Sequence, residues 1–380
     1  MFLLLIFLSL ALAQLPPESF YNITIPSTPS PNLSLATFTT PSTLLSTLSK
    51  PKVHPINTTV FDWWYFDAVS SSNPNVSVVI TLFTSTPTAF PFLPSNSNTD
   101  SDSVLLAYLW ISFPNGTTYA RYADASLATV DAACGVTRGI WHGSGVSFTG
   151  SESGEYLVTI DGGAGVGVTG SVSNPHTPCG DDRLRLGDTS TVGIGWASLL
   201  PDAEASVDVL VGGEGVRFTG VGYHDKGVNA RGATADMYGL AQNWSDGPFE
   251  AAVRTWYWGR GRVGPFSVVW FDMLPVGNET EVVSGYVAVG REVVVSSCEE
   301  GVVSVRPWKD GMAAAYPPVR GDVPDGFRVV YSIQMEVDVT LGAMVAGDGK
   351  YYARWTGRMT AKVAGEVYEG VGMFEQFVMQ

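Results

Sequence analysis

From Val76 onward the hydrophobic positions alternate with polar ones or bunch into short runs, and Gly, Asn and Ser separate the runs. VSVVITLF from Val76, VLLAYLWISF from Val104, TYARYADA from Thr118, EYLVTI from Glu155 and VDVLV from Val207 have strand length and a β-branched or aromatic content that suits a pleated surface. Turn chemistry falls between such runs: SESGE at Ser151 and GGEG at Gly212 predict tight hairpins, and GRGRVGP at Gly259 predicts the link between WYW and FSVVWF. No apolar stripe of helical period lasts beyond about three turns, so very little helix is expected. Gln14 to Lys50 is rich in Ser, Thr and Pro without a period, which makes residues 14–60 an irregular leader or a strap across the body. The Gly/Ala/Asp-rich stretch from Lys226 to Asp236 separates a β domain over residues 61–230 from a second over residues 236–380. The expected fold class is all-β, with each domain a sandwich or barrel.

Residues outside that pattern bear on location. Met1 to Ala13 reads MFLLLIFLSLALA, an apolar run that ends in small residues and is too short to span a bilayer; it reads as a signal peptide over residues 1–13. Asn-x-Ser/Thr sequons at Asn22, Asn32, Asn57, Asn75, Asn115, Asn243 and Asn278 point to the same oxidising, glycosylating route. Three cysteines allow one bridge and leave one thiol, and Cys134 with Cys179 is the expected pair. The expectation is a secreted or lumenal protein with no membrane span after cleavage. A net charge of −15 excludes a nucleic-acid partner, because no basic cluster could neutralise phosphates.

Aromatic residues carry the candidate chemistry. Trp63, Trp64, Tyr65 and Phe66 are contiguous, as are Trp256, Tyr257 and Trp258. A strand sends such neighbours to opposite faces, so one set can pack a core while the other lines a pocket for an apolar ligand. The densest polar segment is GVGYHDKG, where His224 could act near neutral pH, Asp225 could orient it, and Lys226 or Tyr223 could donate to a carbonyl; equally, these groups could simply cap a turn. No G-x-S-x-G elbow is present, and the four histidines, His54, His142, His176 and His224, are scattered singly, so neither a serine hydrolase nor a metal site is expected.

Taken in order, FDWWYFDA, GWASLLPDAEASVDV, GVGYHDKG, WYWGRGRVGPFSVVWFD and GEVYEGVGMFEQF resemble the fungal Diels-Alderase family and, more distantly, the lipocalin-like hydroxyneurosporene synthase group. The resemblance covers nearly all of the chain after Val60. It implies two lipocalin-like domains with the ligand pocket between them, no metal and no organic cofactor. It also implies a stereoselective [4+2] cycloaddition on a hydrophobic polyketide or polyketide-terpene substrate. The secretory features resemble the hetero-Diels-Alderase branch, which couples an o-quinone methide to a terpene alkene. On this reading Trp64, Trp256, Trp258 and Trp355 are pocket walls, Asp67 and Arg260 further substrate contacts, and Tyr223, His224 and Lys226 the polar catalysts, with His224 the general acid where a methide must form. The family follows YHDK with Asn-Trp-Gly, whereas Gly227, Val228 and Asn229 stand here, so one pocket wall must differ. The alternatives are a lipocalin-like carrier that leaves its ligand unchanged and a secreted carbohydrate-active protein.

Overall fold

The computed structural model describes residues 20–36, 44–93, 103–170, 194–229, 249–277 and 280–379. Residues 1–13, Asn243, Asn278, Cys179 and most of the expected domain junction lie outside them. Two sheets contain nearly all of the strands. The first has twelve, in the order Tyr21–Pro26, Leu127–Ala133, Val136–His142, Val146–Ser151, Glu155–Ile160, Gly163–Gly170, Ile194–Val211, Glu214–Asn229, Phe61–Ser70, Ser77–Thr84, Leu105–Ser112 and Thr118–Asp124. Thr118–Asp124 lies at one edge and Leu127–Ala133 next to the other, yet only Ala125 and Ser126 join them. Two residues reach no more than about 10 Å, so the sheet has to curl until its ends nearly meet. Ala125 N–H on the Leu105 carbonyl (3.1 Å) and Ser126 N–H on the His142 carbonyl (2.9 Å) fasten that junction.

The second sheet has ten strands, all from Val253 onward, and its centre is Phe266–Pro275, Val253–Val263, Glu366–Val378, Tyr352–Val363 and Met335–Gly347. Among the described residues, helix is confined to Leu45–Ser49 and Phe249–Ala252, as the missing helical period predicts. The hairpins at Ser151 and Gly212 form, with Gly212 and Gly213 at φ 57° and 84°. The GRGRVGP turn is tighter than expected: GRGR stays in the strand and Gly264 and Pro265 alone make the turn. Gly259 lies opposite Trp270, whose indole fills the place of a Cβ.

The leader is more ordered than its composition suggests. Tyr21–Pro26 pairs with Leu127–Ala133, and Leu45–Ser49 plugs the hollow of the first sheet. Glu152 accepts from the Leu45 and Ser46 N–H groups (2.8 and 2.9 Å), satisfying donors at the helix start that the helix itself cannot. The Trp64 indole donates to the Ser49 carbonyl at 2.8 Å.

The bridge expected through Cys134 is not formed. That residue stands at φ 53° in the exposed turn between Leu127–Ala133 and Val136–His142 with a free thiol, and Cys298 is disulfide-bonded instead. No helix among the described residues is long and apolar enough to cross a membrane.

Three apolar clusters result: one inside each curled sheet and a third between them. Strand position decides membership. Glu155–Ile160 alternates exposed and buried residues because one of its faces meets water. Phe61–Ser70 is buried on both faces: Trp64, Phe66 and Ala68 fill the first sheet's hollow, while Phe61, Tyr65 and Val69 join Trp256, Trp258, Phe271 and Phe377 in the layer between the sheets.

Candidate active site between the sheets

A cavity of about 360 Å³ opens in that middle layer, walled from both sheets. The first sheet contributes Trp63, Tyr65, Phe83, Tyr108, Trp196 and Asp225; the second contributes Trp256, Trp258, Tyr352, Arg354, Glu375 and Phe377. Phe90 to Leu93 and Phe249 add apolar surface. The rings meet edge-on or tilted, as at Trp256 and Phe271 (4.3 Å, 75°), so the walls are held by mutual packing.

Two polar features stand in this lining. Asp225 is 5 % exposed and accepts an indole N–H on each oxygen, Trp63 on Oδ1 and Trp196 on Oδ2, both at 3.1 Å. Burial opposes its charge more than these donors favour it, and pushes the carboxyl up to about 7. Near neutral pH the group is therefore divided between acid and carboxylate. Trp63 and Trp196 are the register neighbours of Gly227 on either side, whereas the position that holds a tryptophan in the family resemblance is Val228, the register neighbour of Asp62 and Gly195.

The second feature is Arg354 with Glu375, directly opposite each other on paired strands. Arg354 Nε and Nη2 both donate to Glu375 Oε2, the former at 3.0 Å. The guanidinium lies over the rings of Tyr65 (4.6 Å), Tyr352 (5.7 Å) and Trp258 (5.8 Å). Burial works against its charge, but Glu375 together with Tyr352, Tyr65 and Tyr108 outweighs that and keeps it a cation; burial raises the Glu375 carboxyl above its usual range.

The predicted site residues divide. Trp256 and Trp258 line the cavity. Tyr223 is in the same layer, fully buried and edge-on to Trp258 at 5.3 Å, behind the wall. Trp64, His224 and Lys226 project to the other face, into the hollow of the first sheet, because strand neighbours alternate. Lys226 is ion-paired with Asp62 and lies 3.6 Å from the Trp64 ring; His224 Nδ1 is 2.8 Å from the Tyr65 carbonyl and its ring stacks on Phe66 at 4.0 Å. Burial pushes His224 down to about 3, so it is neutral. Trp355 likewise points into the core of the second sheet, against Phe327. Asp67 and Arg260 pair with each other between the sheets and do not line the cavity.

Sequence reasoning passed over Arg354 and Glu375. The signal was available in the Ala364-Gly365 turn, where both residues have positive φ: counting outward from Val363 opposite Glu366 brings Arg354 opposite Glu375. Among the described residues no group of three or more His, Cys, Asp and Glu side chains could hold a metal ion.

The model of the Diels-Alderase-like family matches residues 34–306. This chain belongs to the Diels-Alderase-like family. Its similarity to the quinolone epoxide rearrangement protein penF of Penicillium thymicola is 34% identity over 351 residues, 87% of this chain and 88% of that protein. The quinolone epoxide rearrangement protein asqO of Emericella nidulans is 31% identical over 346 residues, 87% of each chain. In three dimensions the crystal structure of CghA with Sch210972 superposes with a TM-score of 0.67 at 13% identity, covering 94% of this chain and 98% of that one. That likeness extends over both curled sheets, so the described residues of the Diels-Alderase-like chain have the all-β fold of that structure.

Proposed function

We propose that this member of the Diels-Alderase-like family is an enzyme of fungal secondary metabolism that takes a conjugated, polyketide-derived substrate into the cavity between the sheets and catalyses a stereoselective [4+2] cycloaddition. One observation supports this above the others: an aromatic cavity walled from two sheets, with one carboxyl poised near neutrality and one arginine held in place. A cycloaddition needs no nucleophile. It gains from holding diene and dienophile within reach in one orientation, which converts lost freedom into rate. Trp63, Trp256 and Trp258 supply flat, rigid surfaces for that. Arg354, oriented by Glu375, can donate to a carbonyl whose charge grows in the transition state. Coupling of an o-quinone methide with a terpene alkene is the finer form of this reading, and protonated Asp225 is then the acid that assists loss of water.

A second reaction has a specific observation in its favour. The relatives penF and asqO are named for quinolone epoxide rearrangement, and protonated Asp225 can donate to an epoxide oxygen as its C–O bond breaks, while the surrounding rings face the carbon that becomes electron-poor. Both reactions use the same cavity.

The compartment in this reading is the secretory lumen or the exterior. Asn22, Asn32, Asn75 and Asn115 are exposed, and Cys298 is in a disulfide.

The deciding experiment incubates purified protein with extract from a host lacking the gene, followed by mass and chiral chromatography and NMR of what changes. A product with a new six-membered ring and two fewer double bonds is the expected result. A product of unchanged mass in which the oxirane has been replaced makes the rearrangement the activity. An unchanged apolar compound retained by the protein makes it a carrier, and retention of a soluble glycan makes it a carbohydrate binder; either overturns the proposal.

A further inference from the structure

Asp67 and Arg260 are fully buried, and their ion pair crosses from Phe61–Ser70 in the first sheet to Val253–Val263 in the second. Besides Nη2, Arg260 Nε reaches Asp67 Oδ2 at 3.4 Å, and Nη1 donates to the Val221 carbonyl at 3.3 Å. One guanidinium therefore ties together three strands: the one with Trp63 and Tyr65, the one with Tyr223 and Asp225, and the one with Trp256 and Trp258. Asp67 Oδ2 also accepts the Tyr65 hydroxyl at 2.7 Å. The Tyr65 ring stands edge-on to Trp258 at 5.7 Å and under the Arg354 guanidinium, so its orientation is transmitted to both the aromatic and the cationic part of the cavity.

Stability is a weak reason for such a pair. Taking two charges out of water costs about what their attraction returns, and apolar replacements of similar volume are often neutral. What apolar replacements cannot reproduce is direction: the planar fork of an arginine fixes the angle and spacing of everything it bonds.

We propose that the Asp67–Arg260 pair is a positioning device that sets the Tyr65 hydroxyl and the spacing of the two cavity walls, and thereby governs turnover and product selectivity. This rests on the reading of the cavity as the reaction site. A misplacement of about 1 Å in such a site can lower the rate on the order of a hundredfold.

The test is the double variant Asp67→Leu/Arg260→Met, with melting temperature, kcat, KM and the ratio of stereoisomeric products measured separately. The expected result is a melting temperature near wild type, a kcat lowered by on the order of ten- to a hundredfold and an eroded product ratio. Arg260→Lys, which keeps the charge and loses the fork, should fall between the two in product ratio. A double variant that melts, turns over and selects like wild type overturns the proposal. If the double variant does not fold, Arg260→Lys assayed well below its melting temperature decides, and wild-type kcat and selectivity there overturn it equally. Binding of 8-anilinonaphthalene-1-sulfonate to the cavity, followed by quenching of tryptophan emission, separates this from failure of the functional reading. If wild type shows no turnover on any substrate, the positioning role still requires that probe affinity shift in both variants, and an unchanged affinity overturns it.

Discussion

Tyr223 and Asp225 face the layer between the sheets, while His224 and Lys226, their immediate neighbours, face the hollow of the first sheet. The two pairs have similar chemistry and opposite surroundings. On the inner face, Lys226 has its countercharge in Asp62 and a ring in Trp64, and the Leu45–Ser49 helix closes the space above them. On the outer face, Asp225 has two indole donors and an open cavity. A dense polar segment in a strand is thus two half-segments: one is structural because its partners are supplied by the protein, and in the other Asp225 is available to a ligand because some of its surroundings are empty, with Tyr223 packed behind the wall. Alternation decides which residue belongs to which, and neither residue type nor density does.

The comparison can be broken most forcefully on the inner face. Lys226→Met removes the paired cation and leaves buried Asp62 with the Lys52 N–H and the weaker field of the Lys52 charge, so the cost should approach but not exceed the about 3–5 kcal/mol of breaking a buried pair outright. Urea unfolding should show a loss of that order, while the fraction that stays folded turns over normally. A folded-state rate that collapses without loss of stability would move Lys226 into the chemistry. On the outer face the balance is reversed. Asp225→Asn removes the transferable proton but keeps an acceptor for one of the two indole N–H groups, its NH2 facing the other, so stability should fall by about 1–3 kcal/mol while kcat of the folded protein falls by about a hundredfold, the lower range for loss of a general acid. The sign of the pH dependence follows from the raised pKa. The acid form dominates below about 7, so wild-type kcat/KM should decline as pH rises through about 7, whereas the stability due to folding around a neutral carboxyl is fully present below about 4 and is lost as pH rises from there to about 7. The Asn variant should lack that limb of the rate profile; a limb that persists would assign it to another group.

Much of the fold was legible because strand signals are local. EYLVTI is a strand from its first residue to its last, and the Gly212-Gly213 turn is where its glycines place it. What was not legible depends on distant pairing. The leader's Tyr21–Pro26 becomes a strand because Leu127–Ala133 offers an edge about a hundred residues later, which no local composition reveals. That Trp64 points away from the cavity is not legible because contiguous aromatics do not announce which face holds it, and that Trp355 does so is not legible because a family resemblance gives a residue type and not a face. Cys134 lost its expected bridge to a position in a tight exposed turn. The cavity itself is a property of two sheets, so Arg354 and Glu375 became visible only when the hairpin register met the first sheet's aromatics.

The smallest effect is expected at His224, the residue whose type most strongly suggests catalysis. His224→Phe removes one hydrogen bond, from Nδ1 to the Tyr65 carbonyl, a loss of about 1 kcal/mol. It also removes Nε2, a buried atom with no hydrogen-bond partner, whose desolvation already costs the fold about as much. A phenyl ring fits the stack on Phe66 and the contact with Tyr156, so the two terms should nearly cancel and stability should change by no more than about 1 kcal/mol. Turnover should stay within about twofold of wild type, since the ring is on the far side of the wall from the substrate and is neutral across the working pH range. A tenfold loss of kcat with unchanged melting temperature would show that the inner face takes part in the reaction, and would return to His224 the acid role that the position of Asp225 now argues against.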